Sequence, residues 1–114
     1  GTFHIDEGYA QMTRSYQQAA RLQLPDKIPC EIYCHTLTDD SILSPQLRER
    51  GFNTLTLFAL DTPWRLFRQD NRAMRDRAMR KCVEGLNAYL AEPIENCLAV
   101  AKSGELHFSF QLST

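Results

Sequence analysis

The thiols and imidazoles are the first side chains to weigh for chemistry. Cys30 and Cys34 stand four apart with His35 adjoining, superficially a metal half-site. Structural zinc needs four ligands, usually as two close pairs. The other two thiols, Cys82 and Cys97, are far apart in the chain, and on a strand Cys34 and His35 point to opposite faces. No metal ligand set is therefore expected. A cysteine nucleophile served by His35 or His107 has no more support. An activated thiol needs a helix N-terminus or a basic neighbourhood. Cys82 alone follows basic residues, Arg80-Lys81, and it falls on an apolar helical stripe. Reduced thiols acting as small hydrophobes are the expected state.

Asp39, Asp40 and Asp61 lie at strand ends, where active-site groups often sit, but aspartate at such positions is also ordinary turn chemistry. Arg65, Arg68, Arg72, Arg75, Arg77, Arg80 and Lys81 face only two acidic residues, Asp70 and Asp76, in the same stretch. A solvated helix face explains them. Trp64 and Phe67 precede that helix instead of interleaving with the charges, so no stacking platform for nucleic acid is present. The five glycines are scattered singly, with no G-x-G-x-x-G and no P-loop. No catalytic residue and no cofactor-binding residue is expected on this stretch.

Asp6–Leu22 is predicted as a helix with an apolar stripe of Tyr9, Met12, Tyr16 and Ala19/Ala20. Asp6 and Glu7 suit its start, and Pro25 and Pro29 follow its end. Cys30–Thr38 is predicted as a strand, with Ile32, Cys34 and Thr36 on one face and Tyr33, His35 and Leu37 on the other. Ser44-Pro45 opens a helical turn through Arg50 that Gly51 stops. Asn53–Leu60 is predicted as a strand with apolar residues on both faces, implying cover on both sides. Asp70 caps a long helix to Ala91 whose stripe is Met79, Cys82/Val83, Leu86 and Leu90. Pro93 leads into a helical turn, Ile94–Ala99. Leu106–Leu112 alternates with a period of two and is predicted as a closing strand. The fold class is α+β: a small, mainly antiparallel sheet of about three strands with two main helices packed on one face.

The 114 residues suffice for a single domain, with 43% hydrophobic and 24% charged residues and a net charge of -1. That balance gives no reason to expect nucleic acid or a membrane as partner. No signal peptide is readable, and Leu57–Leu60 is too short to span a bilayer, so no transmembrane segment and a cytoplasmic location are expected.

The string Cys30-Glu-Ile-Tyr-Cys-His-Thr-Leu-Thr-Asp-Asp-Ser-Ile-Leu-Ser-Pro45, followed by Asn53-Thr-Leu-Thr-Leu-Phe-Ala-Leu60, resembles the phytoene-desaturase-like FAD-dependent oxidoreductases. Gly1-Thr-Phe-His-Ile-Asp-Glu-Gly8 and Asn87-Ala-Tyr-Leu-Ala-Glu-Pro-Ile-Glu-Asn-Cys97 are similar to the same group. The ending from Glu105 onward departs from it. The resemblance implies that residues 1–114 belong to the substrate-side domain of a longer chain whose flavin fold is assembled elsewhere. FAD would then sit on the FAD-binding portion of the parent, and none is expected on this piece. The substrate implied is a hydrophobic small molecule, and the chain alone would be inactive. Aromatic and polar-tipped residues on or beside strands, namely Tyr33, His35, Phe58 and Trp64, are the expected substrate-binding side chains. The alternative is a stand-alone α+β interaction module, dimeric through its sheet edges, with the Arg-rich helix meeting an acidic partner. A third option, a small metal-dependent hydrolase using the Asp and His residues, would need a bound metal.

Overall fold

The computed structural model describes Gly1–Gly104. The predicted closing strand, Leu106–Leu112, lies outside the described residues. The architecture is α+β, a three-stranded antiparallel sheet in the order β1 (Thr2–Ile5), β2 (Cys30–Tyr33), β3 (Thr56–Ala59), accompanied by helices. The main helices are α1 (Tyr9–Ala20) and α3 (Asn71–Asn87), with a short α2 (Pro45–Glu49) between β2 and β3. Single 3-10 turns follow at His35–Leu37, Trp64–Phe67 and Ile94–Cys97.

Antiparallel pairing sets His4 opposite Glu31 and Ile5 opposite Cys30 on one side of β2. On the other side, Cys30 meets Ala59 and Ile32 meets Leu57. Directly opposed residues share a face. One face therefore carries Ile5, Cys30, Ile32, Leu57 and Ala59, and the core gathers there with Ile28 and with Cys82 and Leu86 from α3. Cys30 and Ile32 are fully buried. The contact between Cys30 and Cys82, with burial adding to it, pushes the Cys30 thiol up, so it stays protonated and inert. A smaller cluster, Leu66, Phe67 and Ala78, seats the Trp64–Phe67 turn on the first half of α3.

Several local signals act as the sequence suggests. Ser44 Oγ accepts the Leu47 amide at the start of α2, Pro45 occupies its first turn, and Gly51 closes it at φ 74°. Asp70 caps α3 through a 3.0 Å bond from the Ala73 amide. Other expectations are corrected. A strand not expected from the sequence, Thr2–Ile5, opens the chain ahead of the first helix. Its presence moves the start of α1 from Asp6 to Tyr9.

The predicted stripe of α1 is rotated. Tyr9 is 91% exposed and Tyr16 68%, while Ser15 and Ala19 are buried. Gln11 Nε2 and Ser15 Oγ both donate to the Lys27 carbonyl, so the helix attaches through small residues and hydrogen bonds to the 24–29 segment. Pro25 and Pro29 of that segment are fully buried. On α3 the buried positions are Ala78, Cys82 and Leu86, while Leu90 lies beyond the helix end.

β2 stops at Tyr33, five residues before the predicted end. The Thr36 hydroxyl there accepts the Thr54 amide and donates to Asn53 Oδ1, side-chain bonds standing in for a longer ladder. Cover on both faces is also corrected. Phe58 is 52% exposed and Thr56 is exposed on the face opposite the core.

These assignments predict a sharp contrast. Ile32→Ala should cost about 2–5 kcal/mol of stability because its site is fully enclosed, whereas Tyr9→Ala should change it by less than ~0.5 kcal/mol. Urea unfolding of the two variants checks the burial pattern directly.

Candidate functional site

The alternation that sends Cys30 and Ile32 into the core sends Glu31 and Tyr33 to the open face. Three of the four sequence-predicted residues meet there. The Tyr33 ring stacks on His35 at 5.7 Å between centroids, with planes 9° apart. Phe58, from the neighbouring strand, stands edge-on to Tyr33 at 5.4 Å. His35 reaches this position because the 3-10 turn after β2 folds it back beside the strand. Both contacts fall within the distances at which aromatic pairs attract. The phenol of Tyr33 donates to Glu31 Oε2 at 2.7 Å. That bond raises the Tyr33 pKa, since ionising the phenol would forfeit it beside a carboxylate. Tyr33 is therefore a fixed hydrogen-bond donor with a flat apolar ring, suited to packing and orientation and unsuited to act as a base.

Trp64 is not part of this shelf. It sits at a cleft of about 560 Å³ where Tyr16 and Ala19 of α1 meet the exit of β3 at Leu60, Asp61 and Pro63. None of Tyr33, His35 and Phe58 lines this cleft. Trp64 is 60% exposed, and the Arg68 guanidinium lies 5.1 Å from its ring centre, a cation–π contact.

Asp61, which the sequence marks both as a strand-end carboxylate and as an ordinary turn former, lines this cleft. Its φ is 53°, in the left-handed region that aspartate tolerates better than most residues. Its Oδ2 is buried without a hydrogen-bond partner among the described residues. Desolvation raises its pKa. Asp39, by contrast, is held below the ordinary range by the Ser41 amide and hydroxyl, as a turn aspartate should be.

The resemblance implies FAD in the parent, and the residues here do not fit it. A pyrophosphate is held where a strand enters a helix through glycines. The strand-to-helix junction between β1 and α1 instead carries Asp6 and Glu7, whose carboxylates would repel it. The sheet is antiparallel, whereas dinucleotide folds are built on parallel strands.

Over 98 residues, 86% of the chain, the sequence is 48% identical to uncharacterized proteins of Mycobacterium bovis and of two strains of Mycobacterium tuberculosis. The match takes up 18% of each, so the chain spans under a fifth of the length of the curated relatives it matches. No family model matches the chain, and no solved structure does. Among the described residues no helix is long and apolar enough to cross a membrane.

The environment of Asp61 predicts a pH-dependent stability. The folded chain holds the neutral acid more readily than the unfolded chain does, so stability is lost as pH rises through the folded value. Asp61→Asn, isosteric and compatible with positive φ, should raise the melting temperature slightly near neutral pH. The advantage should vanish below the ordinary carboxyl value of 3.8. Scanning calorimetry across the acidic range decides it, and a lower melting temperature for the variant at neutral pH would contradict the assignment.

Proposed function

We propose that this chain is the substrate-side segment of a larger, cytoplasmic, FAD-dependent oxidoreductase of the phytoene-desaturase-like kind, where it shelters a hydrophobic small molecule. The observation that carries this reading is the aromatic shelf of Tyr33, His35 and Phe58 on the open face of the sheet. Rings fixed at that face by stacking, by the edge-on Phe58 and by the Tyr33–Glu31 bond offer an angled aromatic surface with one oriented hydroxyl. An apolar ligand laid on such a surface gains by leaving water and keeps a defined orientation. Trp64 and the adjoining cleft offer a second apolar wall.

The far greater length of the matching mycobacterial proteins supports a segment working inside a longer chain. In that setting the flavin supplies the redox chemistry and sits on the FAD-binding portion of the parent. The present residues bind, orient and exclude water. The outer strands β1 and β3, unpaired on their outer sides among the described residues, offer their edges to that portion of the parent.

The test uses the full-length parent protein. Replacing Tyr33 and His35 together by alanine should raise KM for the substrate about tenfold, which corresponds to ~1.4 kcal/mol of lost contact. The flavin absorbance of the purified protein should be unchanged. Unaltered substrate kinetics would refute the shelf as the substrate wall, and a parent purified without flavin would refute the oxidoreductase reading.

A further inference from the structure

The open face of the sheet holds a second constellation beside the aromatic shelf. His4 on β1 and Glu31 on β2 are directly opposed. Asp6, at φ 56°, turns the chain sharply after β1. Glu7 follows that turn, and its Oε2 lies 2.7 Å from His4 Nδ1. One donor atom from each of His4, Glu7 and Glu31 lies within 4.8 Å of the other two. We propose that these three residues bind one divalent transition-metal ion of the zinc class, with its remaining coordination positions open to solvent beside Tyr33.

The donor set argues for that class. One imidazole with two carboxylates suits a borderline cation better than calcium or magnesium, which prefer oxygen alone. Three protein ligands leave at least one position free for water or a substrate oxygen, the arrangement of reactive rather than purely structural zinc. Ligands around a tetrahedral ion with bonds of ~2.1 Å stand about 3.4 Å apart. The His4–Glu7 pair, at 2.7 Å, would open by about 0.7 Å and a separation near the 4.8 Å limit would close by about 1.4 Å, adjustments that side-chain rotation on a fixed sheet can supply.

Two further observations point the same way. Glu7 Oε1 is buried and has no hydrogen-bond partner among the described residues, a costly state for a carboxylate whose other oxygen already meets His4. The carboxylate of Glu31 is already oriented by the Tyr33 hydroxyl at 2.7 Å, the outer hydrogen bond that ligating carboxylates characteristically receive. His4 and Glu31 are anchored by strand pairing, so bringing them together costs little chain entropy at the moment of binding.

Zinc chloride titrated calorimetrically into the full chain should show saturable binding of one ion. His4→Ala and Glu7→Gln should each weaken it by at least ~10-fold while leaving the far-UV circular dichroism unchanged, since the His4 side chain is 49% exposed. A variant-free arm uses cobalt(II). Nitrogen and oxygen ligation gives visible d–d bands with no sulfur-to-metal charge transfer. Absence of saturable binding up to millimolar zinc would overturn the proposal. So would affinity unchanged in both variants, or a thiolate charge-transfer band placing the ion on exposed Cys97.

Discussion

The register of β2 is the constraint on which the rest of the structure depends. Cys30 and Ile32 are fully buried between β1, β3 and α3, and burying them fixes which residues oppose them on both neighbouring strands. A slip of one residue would turn Glu31 and Tyr33 into the core and expose Cys30 and Ile32. Two ionisable groups would then meet the thiol and leucine of α3 without partners, a burial cost far above that of any surface contact. The same parity that assembles the core therefore delivers Glu31 and Tyr33 to the open face, where both the aromatic shelf and the His4–Glu7–Glu31 cluster form.

The second organising element is the short segment between α1 and β2. Its two prolines are fully buried, and the backbone carbonyls around them are the attachment points for both main helices. Gln11 and Ser15 from α1 bond the Lys27 carbonyl, and Lys81 Nζ from α3 reaches the Asp26 carbonyl at 3.0 Å. Arg14 pairs with Asp26 at 2.9 Å, although an ion pair this exposed adds little by itself. The helices are thus joined to the sheet partly through a rigid irregular strip. This is why a helix whose buried residues are only Ser15 and Ala19 is nonetheless held in place.

Electrostatics divides the carboxylates by environment. Asp39 and Glu95 accept hydrogen bonds from neighbouring amides and are held below their ordinary range. Asp61 and Glu7 each keep a buried oxygen without a partner among the described residues. Unsatisfied buried oxygens are expensive, and both lie on surfaces next to exposed aromatics, Trp64 in one case and the Tyr33 shelf in the other. Polar groups left wanting a partner beside apolar surface are the common composition of a binding face.

Much of this was legible from residue types alone. The alternation along Cys30-Glu-Ile-Tyr33 separates Ile32 from Tyr33 onto opposite faces, as strand geometry requires, and the structure buries the Ile32 face. Ser44-Pro45, Gly51 and Asp70 marked helix ends by local hydrogen-bonding chemistry that needs no distant partner. Tyr33, His35 and Phe58 were grouped as neighbours of strands and do meet. What the chain could not disclose by local rules was set by long-range pairing. The four residues of β1 become a strand only because β2 has an edge for them, and that pairing trims α1 and rotates its buried face away from Tyr9 and Tyr16. Trp64 parts from the other aromatics because its turn packs on α3. His4 and Glu31 are 27 positions apart in sequence, and only antiparallel register makes them neighbours. Local propensity acts over a few residues, whereas the convergence of a site is decided by which strands share hydrogen bonds.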